Sequence, residues 1–438
     1  MAICRFLNGC QSALAVAAVL MVAGCGAGPA PAPSGSAPST SGPSVSTPSA
    51  SVPSGAPPTA ATGTPGSASS DGALEVFDQA ALEAKFREKA KELRVPGAVM
   101  LLRTPGGSFT YRYGVRSIGG TDPVTPADHV RIGSITKTWT ATVILQLVQE
   151  GKIRLSDPVA KYRPDVPNGG NITIEQLLTM RSGLYNYTEA LEVNQLLDSD
   201  PGKVWTTDEL LAIAFRNPPY FPPGQDFHYS NTNTVLLGLI AEDLDGKPLG
   251  DAFRDRLFKP LGLEGSVFPE QTSNAIPSPH PQGYMYGTNV VTLNHPALPE
   301  DMQKGAAEGT LQPTDQTAMN PSWAWSAGSG ISTADDLATW AEALGSGKVL
   351  GPELQKLRLD SLRPVKADDP AGALYGLGIA KFGQLFGHTG ELPGFNSFAG
   401  YDPENKVTLV VWTNLAPTPD GQDPATAIAR TLIGGIYR

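Results

Sequence analysis

The chain has 438 residues, of which 40% are hydrophobic and 17% charged, so it is long enough for one large core or two lobes. It carries 32 basic and 42 acidic residues, and Arg5 is the single charged residue within 1–70. The remainder therefore has a formal net charge of −11 (31 minus 42). Such an acidic surface argues against nucleic acid as a partner, because phosphates require a basic face.

The N-terminal segment is typical of a targeting signal. The apolar run 13–25, "ALAVAAVLMVAGC", follows Arg5 and is too short to span a membrane comfortably. Small residues precede Cys25, and the pattern resembles the bacterial lipoprotein box, whose cysteine becomes the lipidated first residue. We therefore predict a signal peptide over 1–24, a membrane anchor at Cys25 and an extracytoplasmic location. A plain secretory signal with a chance cysteine is the alternative.

The next segment predicts a tether. Residues 26–70 are Pro, Ser, Ala, Gly and Thr apart from two valines, so they cannot bury enough apolar surface to fold. We predict a disordered tether over 25–72. All three cysteines lie at or before Cys25, which leaves residues 73–438 without a disulfide or a cysteine metal site. The five histidines show no metal-ligand spacing, so no metal and no cofactor is predicted.

Residues 73–438 have the periodicity of a mixed α/β domain. Helical spacing covers 74–93, 134–150, 232–244, 333–344 and 423–435, and strand patterns cover 97–115 and 375–414. Strands at both ends with helices between them predict an α/β (α+β) fold. We expect one antiparallel sheet built from both chain ends and flanked by helices, with an inserted helical lobe. The weakly periodic stretch 266–326 is too long for a plain loop and is predicted to shape a site.

Ser134 and Lys137 form a Ser-x-x-Lys pair at the start of a predicted helix. Residues i and i+3 lie on one helix face, so the lysine can reach the serine hydroxyl. Such a lysine accepts a proton only when it is neutral, which requires burial or a neighbouring cation. The alternative is a helix capped by Ser134 with Lys137 in solvent, and the motif alone favours that alternative.

Two further motifs carry polar groups suited to acyl transfer. Tyr229 and Asn231 form a Tyr-x-Asn pair, in which the tyrosine can relay a proton and the asparagine can hold a substrate amide. Taken alone, that segment is better explained as a helix cap. His388, Thr389 and Gly390 end a predicted strand, and the next amide, that of Glu391, can point into an oxyanion hole. An edge strand ending in a turn explains that stretch equally well.

The three motifs in this order resemble the penicillin-recognising serine hydrolases. That family comprises serine DD-peptidases, class C β-lactamases and related esterases, and the resemblance covers roughly residues 80–438. Segments 172–184 and 332–340 also look like family signatures. The His-Thr-Gly triad looks most like the secreted actinobacterial D-alanyl-D-alanine carboxypeptidases.

The resemblance implies a role for each motif residue. Ser134 attacks a carbonyl and forms an acyl-enzyme, while Lys137 and Tyr229 move protons, with the choice of base left open. The amides of Ser134 and Glu391 form the oxyanion hole, and Asn231 orients the substrate amide. His388, Thr389 and Gly390 lie on the strand where the substrate docks. The expected substrate is a cell-wall stem peptide, a β-lactam or an ester.

The chain departs from the family pattern at two places. Met180-Arg181 stands where relatives often have His-Thr, in a part of the lobe that we interpret as remote from the chemistry. Glu391 shares a strand face with Thr389, where the DD-peptidases bind a substrate carboxylate. A glutamate would repel that carboxylate, unless Lys381 compensates for it. From the motifs together we predict a tethered carboxypeptidase-like serine hydrolase. Glu391 counts towards the first alternative, a carboxylesterase on the same site, and the second alternative is a non-catalytic surface binding module.

Overall fold

The computed structural model describes residues 72, 74, 78–366, 368–369 and 372–437. The predicted signal peptide, Cys25 and the predicted tether lie outside these residues, apart from Gly72. Within the described ranges no helix is both long and apolar enough to cross a membrane.

The described residues contain twelve α-helices. They are α1 (Gln79–Glu92), α2 (Thr136–Gln149), α3 (Ile174–Leu178), α4 (Leu191–Ser199), α5 (Thr207–Arg216), α6 (Asn231–Asp245), α7 (Leu249–Phe253), α8 (Lys259–Leu261), α9 (Glu300–Glu308), α10 (Ala334–Ser346), α11 (Pro352–Asp360) and α12 (Pro424–Ile436). Some begin with a threonine whose side chain caps the first turn. Thr173 and Thr206, for example, each form a capping box with the residue three positions later.

The strands of the described residues are numbered in chain order. They are β1 (Gly97–Thr104), β2 (Gly107–Gly114), β3 (Val130–Arg131), β4 (Tyr284–Met285), β5 (Thr314–Asp315), β6 (Ile331–Ser332), β7 (Arg363–Pro364), β8 (Leu374–Tyr375), β9 (Ala380–Phe382), β10 (Leu385–Leu392), β11 (Phe395–Asp402) and β12 (Val407–Thr413). The long predicted strand stretch 375–414 is thus divided among five strands, of which β8 already begins at Leu374.

One antiparallel sheet joins the two ends of the described domain. Its order is β2-β1-β12-β11-β10-β9-β8-β7, so β1 pairs with β12 from the C-terminal part and β2 forms the edge beside β1. β1 is buried on both faces: Val99 and Leu101 pack into one core, while Met100 and Leu102 pack into the other with α1 and α12. This confirms the predicted antiparallel sheet flanked by helices.

The middle of the chain forms the predicted helical lobe. α2 through α8 all fall between β3 and β4, and the lobe is built around the almost wholly buried α2. Trp139 of α2 makes edge-on ring contacts with Phe253 and Phe258, at centroid distances of 5.8 and 4.8 Å. The segment 266–326 contains little regular structure beyond β4, α9, β5 and a 3₁₀ turn, and it leads into the turn Trp325–Ala327, whose last carbonyl contacts Lys137.

Candidate active site

Ser134 and Lys137 are in direct contact at the entrance to α2. Ser134 lies on a 3₁₀ turn, Gly133–Ile135, and the Lys137 Nζ is 3.0 Å from its Oγ. The same Nζ lies 2.7 Å from the carbonyl oxygen of Ala327. Lys137 is 1% exposed and Ser134 is 3% exposed. The alternative of a helix-capping serine with a solvated lysine is therefore wrong.

The serine turn is clamped against the sheet. A Cβ added to Gly390 would lie 1.8 Å from the Ile132 carbonyl oxygen, so only glycine allows β10 to approach this closely. On β11, the Ser397 hydroxyl donates a hydrogen bond of 2.9 Å to that same carbonyl. Gly133 has a φ of +51°, in the left-handed region that glycine tolerates. The sheet thus fixes the position of the nucleophile candidate.

The backbone of Glu391 lies beside the serine turn. A Cβ added to Gly133 would lie 2.4 Å from the Glu391 amide nitrogen. That amide is therefore packed against the residue directly before Ser134. β9 pairs with β10 only as far as Gly387, so within the described residues no strand occupies that edge of β10 from His388 onwards. An open strand edge beside a buried serine can hold an extended substrate and an oxyanion.

Tyr229 lies beside Lys137 in the buried part of the site. Its ring is fully buried, and the Lys137 Nζ lies 4.9 Å from the ring centroid. Tyr375 contacts it edge-on at 6.0 Å, and the His388 ring lies 6.3 Å away. A cation held this close to a phenol ring is stabilised by the ring and can in turn stabilise a phenolate.

Asn231 is the first residue of α6 and is held by a polar loop. Its backbone N–H donates to the Asn186 Oδ1 at 3.1 Å, and its Nδ2 donates to the Thr188 Oγ1 at 3.0 Å. The Thr188 hydroxyl donates in turn to the Asn186 Oδ1 at 3.0 Å. These contacts satisfy an N–H that has no partner within the helix. They also fix the asparagine that the Tyr-x-Asn motif singled out.

His388 is a buried, neutral imidazole. Burial, together with the charge of Lys137, lowers the pKa of His388 to about 3, despite its bond to the Thr389 carbonyl. Its Nδ1 lies 2.6 Å from the Thr389 carbonyl oxygen and must donate to it. Its Nε2 accepts from the Tyr375 hydroxyl at 3.3 Å, since burial raises the pKa of Tyr375 and keeps it protonated. At neutral pH, His388 therefore adds no positive charge.

Thr389 and Glu391 alternate with His388 along β10 and are both buried. The Thr389 Oγ1 has no hydrogen-bond partner within the described residues, although burying such a group costs about 1–3 kcal/mol. Glu391 borders a small cavity whose other lining residues are Met285, Asn289, Trp323, Leu392, Pro393 and Pro417. A substrate group at this edge would meet a hydroxyl and a carboxylate side by side.

Lys381 does not compensate for Glu391. The register pairs Lys381 with Phe386, and its Nζ lies 4.9 Å from the centroid of that ring. Glu391 is five residues further along β10, roughly 16 Å away at about 3.3 Å per residue. The suggestion that Lys381 balances this carboxylate is therefore wrong.

The structure also corrects the interpretation of the Met180-Arg181 segment. The Met180 carbonyl accepts the N–H of His228 at 3.1 Å, directly before Tyr229 in the chain. The Met180 Sδ accepts from the Asn233 Nδ2 at 3.3 Å. This part of the lobe is therefore not remote from the candidate site, because it contacts the segment that carries Tyr229 and the first turn of α6, which begins at Asn231.

Two larger cavities of about 540 and 450 Å³ are lined by none of the motif residues. Both have walls from the helical lobe, the first including Leu239 and Phe258 and the second Tyr185 and Tyr220. Across the described ranges there is no group of three or more His, Cys, Asp or Glu side chains arranged to hold a metal ion. Contact geometry, rather than cavity size, thus marks the site around Ser134.

Comparison with known proteins agrees with this geometry. The family model described as Beta-lactamase matches residues 82–433, which include every motif residue. The chain belongs to the beta-lactamase family. The Ser-x-x-Lys, Tyr-x-Asn and His-Thr-Gly resemblance is thereby confirmed at the level of the family.

Individual relatives within this family carry several activities in their names. A putative penicillin-binding protein, PbpX of Bacillus subtilis, is 25% identical over 331 residues, covering 76% of this chain and 73% of its own length. A solved D-stereospecific amidohydrolase from a Streptomyces species is 32% identical, with a TM-score of 0.68. The alignment covers 81% of this chain and 97% of that one. A D-amino acid amidase of Ochrobactrum anthropi, solved with D-phenylalanine, is 26% identical with the same coverage and a TM-score of 0.68.

Proposed function

We propose that this chain is a serine hydrolase that works through an acyl-enzyme on Ser134. The observation that carries the proposal is the 3.0 Å contact between the Ser134 Oγ and the Lys137 Nζ, with both side chains buried beside the Glu391 amide. A nucleophile, a proton acceptor and oxyanion donors at one point are the requirements of acyl transfer.

The reaction proceeds in two halves. The Ser134 Oγ bonds to the substrate carbonyl carbon while its proton passes to neutral Lys137 or to the Tyr229 phenolate. The bond to the leaving amine or alcohol then breaks, and the leaving group takes up that proton. In the second half a water molecule attacks the ester on Ser134 and loses a proton to the same groups, which releases the acid and restores the serine.

We further propose that the preferred substrates are small amides and esters that lack a carboxylate next to the scissile bond. In the DD-peptidases the face occupied here by Thr389 and Glu391 helps to bind such a carboxylate. This chain instead offers a carboxylate from Glu391 and a neutral His388. Because the Streptomyces and Ochrobactrum relatives are named for D-stereospecific amide hydrolysis, D-amino acid amides are the first compounds to test.

D-alanyl-D-alanine carboxypeptidase activity is the second candidate. It is supported by the relative named as a penicillin-binding protein and by the buried Thr389 hydroxyl, which could donate to a substrate carboxylate. β-Lactam binding would follow from the same features. A non-catalytic binding module is disfavoured, since the contacting pair of Ser134 and Lys137 is intact.

Glu391→Thr separates the two substrate classes. At 4 Å and an effective dielectric of about 20, two carboxylates repel by about 4 kcal/mol before water and salt reduce the interaction. We expect the substitution to raise kcat/KM for a D-Ala-D-Ala peptide about tenfold or more, corresponding to about 1.4 kcal/mol. Turnover of a neutral ester should change little, because the oxyanion donor is a backbone amide in both proteins. Steady-state kinetics of both substrates, at low and high salt, supply the ratio.

Glu404→Thr is the matched control, because Glu404 is exposed on the turn between β11 and β12. It should leave the peptide-to-ester ratio unchanged. If repulsion by Glu391 is the cause, high salt should bring the peptide-to-ester ratios of wild type and Glu391→Thr closer together. If the peptide-to-ester ratio of Glu391→Thr lies within about twofold of the wild-type ratio, D-alanyl-D-alanine carboxypeptidase becomes the preferred function.

We also propose that the enzyme is a lipoprotein tethered outside the membrane through Cys25. The proposal is supported by the apolar run ending in Ala23-Gly24-Cys25 and by the Pro/Ser-rich segment after it. In a bacterial host, the wild-type chain should partition with membranes and carry a diacylated Cys25. Cys25→Ala should remain unprocessed or become soluble. Wild-type protein found entirely in the aqueous phase would contradict the proposal.

A further inference from the structure

A second group of polar side chains lies behind the Tyr229–Asn231 segment, and no catalytic step above uses it. Glu189 is at its centre. Its Oε2 accepts from the Tyr220 hydroxyl at 2.6 Å, and its Oε1 accepts from the Asn186 Nδ2 at 3.2 Å. The His228 Nε2 lies 3.1 Å from the same Oε1, and the His228 ring stacks on Tyr220 at a centroid distance of 3.6 Å.

The carboxylate sets the direction of every hydrogen bond in this group, because an ionised carboxylate can only accept. The Asn186 side chain must turn its Nδ2 towards Glu189, so its Oδ1 faces α6. There it accepts from the Asn231 N–H at 3.1 Å and from the Thr188 hydroxyl at 3.0 Å. A flipped Asn186 would place its NH₂ group against the Asn231 N–H.

The donor and acceptor roles that Glu189 sets also determine the hydrogen bond of the Asn231 side chain. Since the Thr188 hydroxyl donates its hydrogen to Asn186, its oxygen is left to accept from the Asn231 Nδ2 at 3.0 Å. Tyr220 behaves similarly: its hydrogen goes to Glu189, and its oxygen accepts the Asn186 N–H at 3.1 Å. Two independent paths therefore connect Glu189 to Asn186, and Asn186 to the start of α6.

We propose that Glu189 is a positioning residue: by orienting the Asn186 amide, it places Asn231 to hold the acyl-side amide of the substrate. The inference rests on the proposed function and adds a preference for substrates with an amide next to the acyl carbon. Glu189 acts through Asn186 and does not touch the reacting atoms. Its loss should therefore penalise amide-bearing substrates and spare those without an amide.

Two methyl esters provide the test, because they share a leaving group. N-acetyl-D-alanine methyl ester carries an acyl-side amide, and methyl isobutyrate carries none. Glu189→Gln keeps the shape but can present an NH₂ group to Asn186. We expect kcat/KM for the first ester to fall about tenfold and that for the second by less than twofold. Equal losses for both esters, or no loss for either, would overturn the proposal.

Glu192→Gln is the matched control, because it removes the same charge from a glutamate in the first turn of α4. Glu192 pairs with Arg216 and not with Asn186. The control should change kcat/KM for neither ester. Tyr220→Phe, which removes only the hydroxyl between Glu189 and Asn186, is a second test should Glu189→Gln fold poorly. Tyr220→Phe should lower kcat/KM for the amide-bearing ester selectively. An unchanged ratio between the kcat/KM values of the two esters would count against the proposal.

A double-mutant cycle identifies the route of the effect. If Glu189 acts through Asn231, Glu189→Gln added to Asn231→Ala should cost less than a further twofold for the amide-bearing ester. The full tenfold loss in that background would overturn the proposal. Labelling of wild-type Ser134 by a fluorophosphonate separates the two levels of inference. A labelled, active wild type with an unaffected Glu189→Gln contradicts this inference alone, whereas an unlabelled, inactive wild type contradicts both.

Discussion

Ser134→Ala is expected to reduce kcat/KM by about 10⁴-fold or more for every substrate that the wild type turns over. The substitution removes the atom that forms the acyl-enzyme, and only binding and the oxyanion amides remain to stabilise the transition state. Little should change elsewhere, because the turn is held by Gly390, Ser397 and the backbone of Gly330. Initial rates with a neutral ester and a D-amino acid amide give the loss directly.

Ser108→Ala controls for loss of a serine hydroxyl, because Ser108 is exposed on β2. It should retain wild-type rates. The melting temperature of Ser134→Ala should stay within a few degrees of wild type, which separates lost chemistry from lost folding. Undiminished turnover in the folded Ser134→Ala protein would show that another residue is the nucleophile.

Lys137→Met is expected to lower kcat/KM by about 10²–10⁴-fold, the usual contribution of a general acid or base. Methionine keeps an apolar stem of similar length but can neither accept the Ser134 proton nor donate to the Ala327 carbonyl. The loss should fall mainly on kcat, because Lys137 moves a proton rather than binding substrate. Steady-state rates with the same ester measure it.

Lys381→Met makes the same chemical change on the neighbouring strand β9, where the lysine rests on the Phe386 ring. It should keep the wild-type rate within about twofold. Equal losses in both lysine variants would point to a general effect of charge on the domain. In that case the specific role of Lys137 would have to be abandoned.

The sheet and the serine motif could be predicted because their signals are local. Buried strands with two-sided packing, such as Gly97–Thr104, appear as apolar runs whatever the partner strand is. The contact between Ser134 and Lys137 follows from helical spacing once their burial is known. The motif alone does not show that burial, and by itself it favours a solvent-exposed lysine.

The support of the site could not be predicted, because it depends on long-range contacts between common residue types. The carbonyl below Lys137 belongs to Ala327, 190 residues away, and any residue supplies a carbonyl. Asn186 and Thr188 are residue types found in most loops. Lys381 is the nearest basic residue on the preceding strand in the sequence, but the register places it beside Phe386.

The most direct measurement of the central claim is intact-mass spectrometry of the chain after treatment with a fluorophosphonate, followed by peptide mapping. We expect one adduct on the wild-type protein, located on the peptide that contains Ser134, and none on Ser134→Ala. Lys137→Met should label more slowly, because its serine lacks the proton acceptor. An unmodified wild-type protein, or equal labelling of wild type and Ser134→Ala, would contradict an acyl-enzyme mechanism at Ser134.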